Sequence, residues 1–258
     1  MKFCFSSLYS TPRFLNAMAA FSPNVKWLEV ECGYESPINA LTRFENLTHL
    51  SMTKENRFVP SVSSVANDWP QLETLIIDGL PCSQGLSVHH FSLKVLTILN
   101  GDGLAYPNFT CRSLESLTLR SARIEPVHFL AHLNSRCPNL KKVEIEKYRP
   151  NGGRVEEAQG PSTFSHDFLE DLTLVNFLTT PTHIMCPKLG KLVLRWDGSD
   201  VKKPNMEGKC PSLTTLQIFG YNIEAHLSSV LCALPSLKSL SIDGRDLVLE
   251  QFSRNGVR

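Results

Sequence analysis

One phrase recurs in this chain. CPNLKKVEI begins at Cys137, CPKLGKLVL at Cys186 and CPSLTTLQI at Cys210. Behind it lies a wider pattern: leucine, two residues, leucine, one residue, leucine, with Val, Ile or Met substituting. It starts at Val25, Leu47, Leu72, Leu93, Leu114, Leu140, Leu169, Leu189, Leu213 and Leu237. Consecutive starts lie 20 to 29 residues apart, about 24 on average. One such match arises easily by chance, but ten in phase do not. In an extended segment alternate side chains point to opposite faces, so the fourth and sixth residues of each unit point one way and their neighbours the other. A single unit cannot bury its apolar side; stacked neighbours cover it.

The period falls in the leucine-rich-repeat range. The expected fold is therefore α/β: a leucine-rich-repeat solenoid, curved as a horseshoe, with a parallel β-sheet on the concave face and short helices or irregular segments on the convex face. The expected organisation is a single domain over 1–258 of about ten repeats, with an N-terminal helix and entry at 1–24, repeats over 25–247 and a short tail at 248–258. Helices are expected at Pro12–Phe21 behind Thr11, after Pro126 where Phe129, Leu130 and Leu133 recur at helical spacing, after Glu224, and more weakly over Ser61–Trp69. The polar stretches 149–165 and 195–209 read as exposed loops. Three residues before the first leucine stand Cys111, Cys137, Cys186 and Cys210, and elsewhere Phe44, Trp69 and Leu234. That slot reads as a buried apolar position, where cysteine acts as a compact hydrophobe. The proline that follows at 70, 138, 187, 211 and 235 separates the return segment from the next strand.

Composition narrows the class. Apolar residues make up 42% and charged residues 20% of 258, which favours a packed core over disorder. A net charge of +1 provides no basic footprint, so no nucleic acid is expected. No apolar run is long enough to span a bilayer, so no membrane is expected. The eight cysteines are spread evenly, unlike a disulfide framework, and the expected setting is intracellular, cytoplasmic or nuclear, with reduced thiols.

The lines CPNLKKVEI, CPKLGKLVL and CPSLTTLQI resemble the cysteine-containing leucine-rich repeats of F-box substrate-receptor proteins, over about residues 22–247. In that family an F-box recruits a ubiquitin-ligase core and the repeats hold the substrate. An F-box itself is not seen; residues 1–21 read as the helix before the first strand. The ninth residue of each unit carries no asparagine ladder: it is Gly33, Glu55, Leu80, Gly101, Ala122, Tyr148, Phe177, Asp197, Tyr221 and Arg245.

Chemistry-bearing motifs are sparse. His89 and His90 with Cys82 lack a second ligand pair for a metal, and the Gly pairs lack the context of a phosphate loop. No catalytic residue, cofactor or metal is expected. The expected function is a non-catalytic protein–protein interaction module, F-box/LRR-like in substrate recognition or scaffolding. Its partner would be a protein on the concave face, with ubiquitin-ligase components among the candidates. The alternatives are a ligase adaptor working with a separate F-box partner, a small-molecule-sensing receptor, and a truncated F-box/LRR fragment. Outward positions are the third, fifth and seventh of each unit. Partner-binding candidates on or beside them are Trp27, His49, Arg120, Glu144, Glu146, Arg195, Trp196, Phe219 and Tyr221, chosen because aromatic, arginine and charged groups anchor interfaces. Arg195, Trp196, Phe219 and Tyr221 are expected to form one patch.

Overall fold

The computed structural model describes residues 2–5, 11–32, 38–54, 64–65, 69–79, 86–100, 108–122, 126–147, 162–176, 182–195, 210–220 and 234–247. The chain forms two compact units, one of residues 1–125 with 135–140 and the other of 126–134 with 141–258. Each is built on parallel strands that follow one another in register, a mostly parallel β-solenoid with few helices. Among the described residues no helix is long and apolar enough to cross a membrane.

The first unit carries β1 (Lys2–Phe5), α1 (Pro12–Phe21), β2 (Trp27–Cys32), α2 (Ile38–Leu41), β3 (His49–Lys54), β4 (Ser64–Val65), β5 (Thr74–Asp78), β6 (Ser87–His89), β7 (Val95–Leu99), β8 (Asn108–Thr110) and β9 (Ser116–Ala122). Its main sheet runs β1-β2-β3-β5-β7-β9. Helix α3 spans Pro126–Arg136. The second unit's main sheet runs β10 (Lys142–Lys147), β12 (Asp171–Val175), β14 (Lys191–Arg195), β15 (Thr215–Phe219), β16 (Ser239–Ile242) and β17 (Arg245–Leu247), with β11 (Ser162–Ser165) and β13 (Thr182–Met185) in a ladder of their own.

The leucines meet across this register. Leu28, Leu50, Leu75, Leu96 and Leu117 form one inward row, and Leu172, Leu192, Leu216 and Leu240 another, all 1% exposed or less. The first residue of each described unit except Leu237 is equally buried. In most ribs the second and third backbone N–H groups donate to one carbonyl of the rib before: Glu73 and Thr74 both donate to Thr48, and Lys94 and Val95 both donate to Glu73.

The Cys-Pro phrase is a β-turn. The N–H of Leu140 donates to the Cys137 carbonyl, Leu189 to Cys186 and Leu213 to Cys210, each at 3.1–3.2 Å. Proline at the second position of such a turn has its angle preset, which is why it follows the cysteine. The slot residue is buried in every described unit, Ser22 apart. Two units place histidine there: His90 and His166 are 2% and 0% exposed. The slot therefore accepts an imidazole when the ring finds a partner. His90 Nε2 lies 2.9 Å from the Trp69 carbonyl, which can only accept, so that nitrogen carries the proton.

Several expectations change. Two residues before the slot lie Val88, Phe109, Phe164 and Ile184, all buried. Slot and neighbour thus alternate as a strand does, and short parallel ladders, β4-β6-β8 and β11-β13, form on the return segments. Ser64–Val65 is strand within the stretch read as a weak helix, and Ser162–Ser165 is strand with Phe164 fully buried where a polar loop was expected. Helices α1 and α3 form as expected, α1 with Thr11 Oγ1 accepting from the Phe14 N–H. The helix expected after Glu224 lies outside the described residues, as do Cys82 and most of the polar stretch 195–209.

Four ribs leave their strand through the eighth residue, not the ninth. Gly79, Asn100, Asn176 and Gly220 sit there with φ of 68°, 51°, 54° and 75°, and their strands stop at the seventh residue. Glycine and asparagine are the residues that tolerate this left-handed conformation. Where the eighth residue is Cys32, Lys54, Ser121 or Lys147, the strand runs through it. At the last unit Asp243 and Gly244 take φ of 47° and 77°. Two left-handed residues in succession make the tight turn of a hairpin. β17 accordingly returns antiparallel along β16 and covers its edge.

Candidate partner-binding face

The third, fifth and seventh residues of each repeat point away from the leucine core and are half-buried or exposed among the described residues; Ser241, 4% exposed, is the exception. In the first unit the fifth position runs Glu29, Ser51, Ile76, Thr97 and Thr118, so three of its five side chains are small hydroxyls. Aromatic and charged groups gather at β1–β3. Trp27 and His49 are register partners, and their rings stack at 4.4 Å with 7° between planes. From the other side of β2, Lys2 sets its ammonium 4.6 Å from the Trp27 ring centre. His49 Nδ1 lies 2.9 Å from Thr48 Oγ1, whose own hydrogen goes to the Lys26 carbonyl. The imidazole nitrogen must then be the donor.

Glu29 ties this group together. Its carboxylate accepts from Cys4 Sγ, from Lys2 Nζ and from Trp27 Nε1, each at 2.9 Å. Those bonds, Cys4's first and then Lys2's and Trp27's, pull its pKa down to about 2, so it stays ionised across the physiological range. The same bond pushes the Cys4 thiol up, since donating to a carboxylate favours the protonated form.

In the second unit the charges lie along the strand starts. Lys142, Asp171 and Lys191 are consecutive register partners, with Lys191 Nζ 3.9 Å from Asp171 Oδ2. Glu144 and Glu146 face the same side of β10, beside Thr173 and Val175. Arg195 and Phe219 are register partners, and the guanidinium lies 6.0 Å from the ring centre. Of the expected patch of four, these two come together; Trp196 and Tyr221 lie outside the described residues. Arg120 is exposed on β9 in the first unit. Sequence reasoning missed Lys2 and Cys4, because residues 1–21 read as helix throughout. The alternation Lys-Phe-Cys-Phe was the available signal.

Other candidates fall into structural roles. His89 is exposed while His90 is buried, so the pair diverges. Among the described residues no group of three or more His, Cys, Asp or Glu side chains is placed to hold a metal. The slot thiols are shut away: burial pushes Cys111 and Cys186 up to about 12, and raises Cys137 and Cys210 as well. Two tripeptides have the form of glycosylation acceptors, Asn46-Leu47-Thr48 and Asn108-Phe109-Thr110, and both run through the core. Leu47 and Phe109 are buried, Asn46 Nδ2 donates to the Pro23 carbonyl, and Asn108 Oδ1 accepts from Arg136. No family model matches the chain, and no solved structure matches it.

Proposed function

We propose that this chain is a leucine-rich-repeat recognition module that holds a protein partner on the outward face of its main sheet, the concave wall of the solenoid, in the manner of F-box substrate receptors. The observation that carries this reading is the composition of the outward rows. Small hydroxyl side chains let another backbone approach the sheet of each unit, with stacked Trp27 and His49 as anchors in the first and paired Arg195 and Phe219 as anchors in the second. Rigid aromatic and arginine side chains contribute most to interface energy for the least loss of freedom. Site-specific photo-crosslinking in cells tests it. A crosslinker replacing Gln217, on the sheet face, should join a discrete partner, and one replacing Thr163, exposed on the return segment, should not. Equal crosslinking at both would reject the face. Cullin-type adaptors among the partners caught at Gln217 would place the module in a ubiquitin ligase; their absence would leave it a scaffold.

A further inference from the structure

Strand β1 lies against β2 as a bound peptide would. Lys2–Phe5 pairs parallel with Trp27–Val30, residue for residue. On the outward side Lys2 Nζ meets the Trp27 ring at 4.6 Å and Glu29 Oε1 at 2.9 Å. An aromatic face and a carboxylate converging on one point select an ammonium group. This ammonium site is braced: Trp27 Nε1 donates to Glu29 and His49 stacks on the indole. On the inward side Phe3 and Phe5 take the places that leucines hold in later ribs, with Phe5 edge-on to Phe14 at 5.5 Å. They remain half-exposed, whereas Leu28 and Val30 beside them are 0% and 1% exposed. The strand is thus held by a four-residue ladder, an exposed ion pair and two incompletely covered rings. Exposed ion pairs contribute little.

We propose that the edge of β2 is a strand-addition site for an extended segment of a partner protein bearing lysine, apolar, small and apolar residues in succession, and that β1 is its internal occupant, which the partner displaces. Charge complementarity selects the partner: the lysine satisfies Glu29 and Trp27, and the two apolar residues fill the inward positions. Strand addition draws affinity from main-chain bonds and specificity from alternate side chains, which is what this edge offers. The inference concerns the sheet's edge and does not rest on the reading of its face.

The test uses the full chain and a labelled, capped peptide carrying Lys-Phe-Ser-Phe, followed by fluorescence anisotropy. A Phe3→Ser, Phe5→Ser variant loosens the internal strand and leaves β2 intact. It should bind the peptide at least about tenfold more tightly than the native chain, because apparent affinity scales with the open fraction. Adding Glu29→Gln, or replacing the peptide's lysine with glutamate, should abolish most of that binding. A variant that keeps its circular dichroism and binds no better than the native chain would overturn the proposal. So would light scattering that finds two chains per particle, which would make a second copy the occupant. On the unaltered chain, backbone hydrogen exchange gives an independent readout. Phe3–Phe5 amides should exchange well before Leu28–Val30; exchange in concert would make β1 a fixed cap and reject displacement.

Discussion

At the scale of single residues, the fold rests on which side of a strand each side chain takes. Leu117 is fully buried and Thr118, next to it, faces outward half-exposed. Leu117→Ala should cost on the order of 2–5 kcal/mol in urea unfolding, as other buried leucines do, and Thr118→Ala should cost little. Alternation of this kind was fully legible, because the period of a strand is two and leucine marks it. His90 was not legible as core, since a histidine beside another histidine reads as loop or ligand. Its place follows only once the slot is known to be buried. Burial holds the His90 pKa below its ordinary 6.5, so the unfolded chain takes up the proton first. Its contribution to stability is therefore complete above about pH 6.5 and is lost progressively as pH falls from there through the lower folded-state pKa. Urea midpoints taken at pH 7.5 and 5.5, in about 0.15 M salt, should show the loss. His90→Phe, which copies Phe44 in the same slot, should remove that share of it.

At the scale of elements, the exits from the strands decide where each rib ends. Gly220 has φ of 75° and donates its N–H to Asp243 Oδ1 at 2.6 Å. A β-branched residue there meets its own carbonyl, so Gly220→Val should destabilise by about 1–2 kcal/mol. Asn100→Gly, at the equivalent site, should stay within a few tenths of the native value apart from the lost bond to Asp78. Denaturant midpoints of the two variants check the contrast. The ninth position, where an asparagine ladder would stand, shows no consistent residue type, and the left-handed exits lie one residue before it. The Asp243-Gly244 hairpin signal was overlooked because the repeat pattern led past it. The return-segment strands were hidden for a different reason. Three-residue strands such as Asn108–Thr110 give too few alternations to stand out, and Phe109 or Phe164 alone reads as helix or loop.

At the scale of the molecule, the repeat was plain from the leucine spacing, and the parallel register followed from it. The candidate face was legible as a set of positions but not as a geometry. The sequence pattern named Trp27 and His49 as neighbours in adjacent ribs; their stacking, and the capture of Lys2 and Cys4 by Glu29, depend on an edge strand that no repeat announces. All of it requires that leucines face in and their neighbours out in both units. Cysteine scanning reads this directly. Single cysteines placed in turn at 116–119 in β9 and at 215–218 in β15 would be alkylated in the native state and quantified by peptide-resolved mass spectrometry. Buried slot thiols stay silent under those conditions. The account predicts fast labelling at positions 116, 118, 215 and 217 and protection at 117, 119, 216 and 218 until denaturant is added. Labelling without alternation, or in the opposite phase, would contradict it.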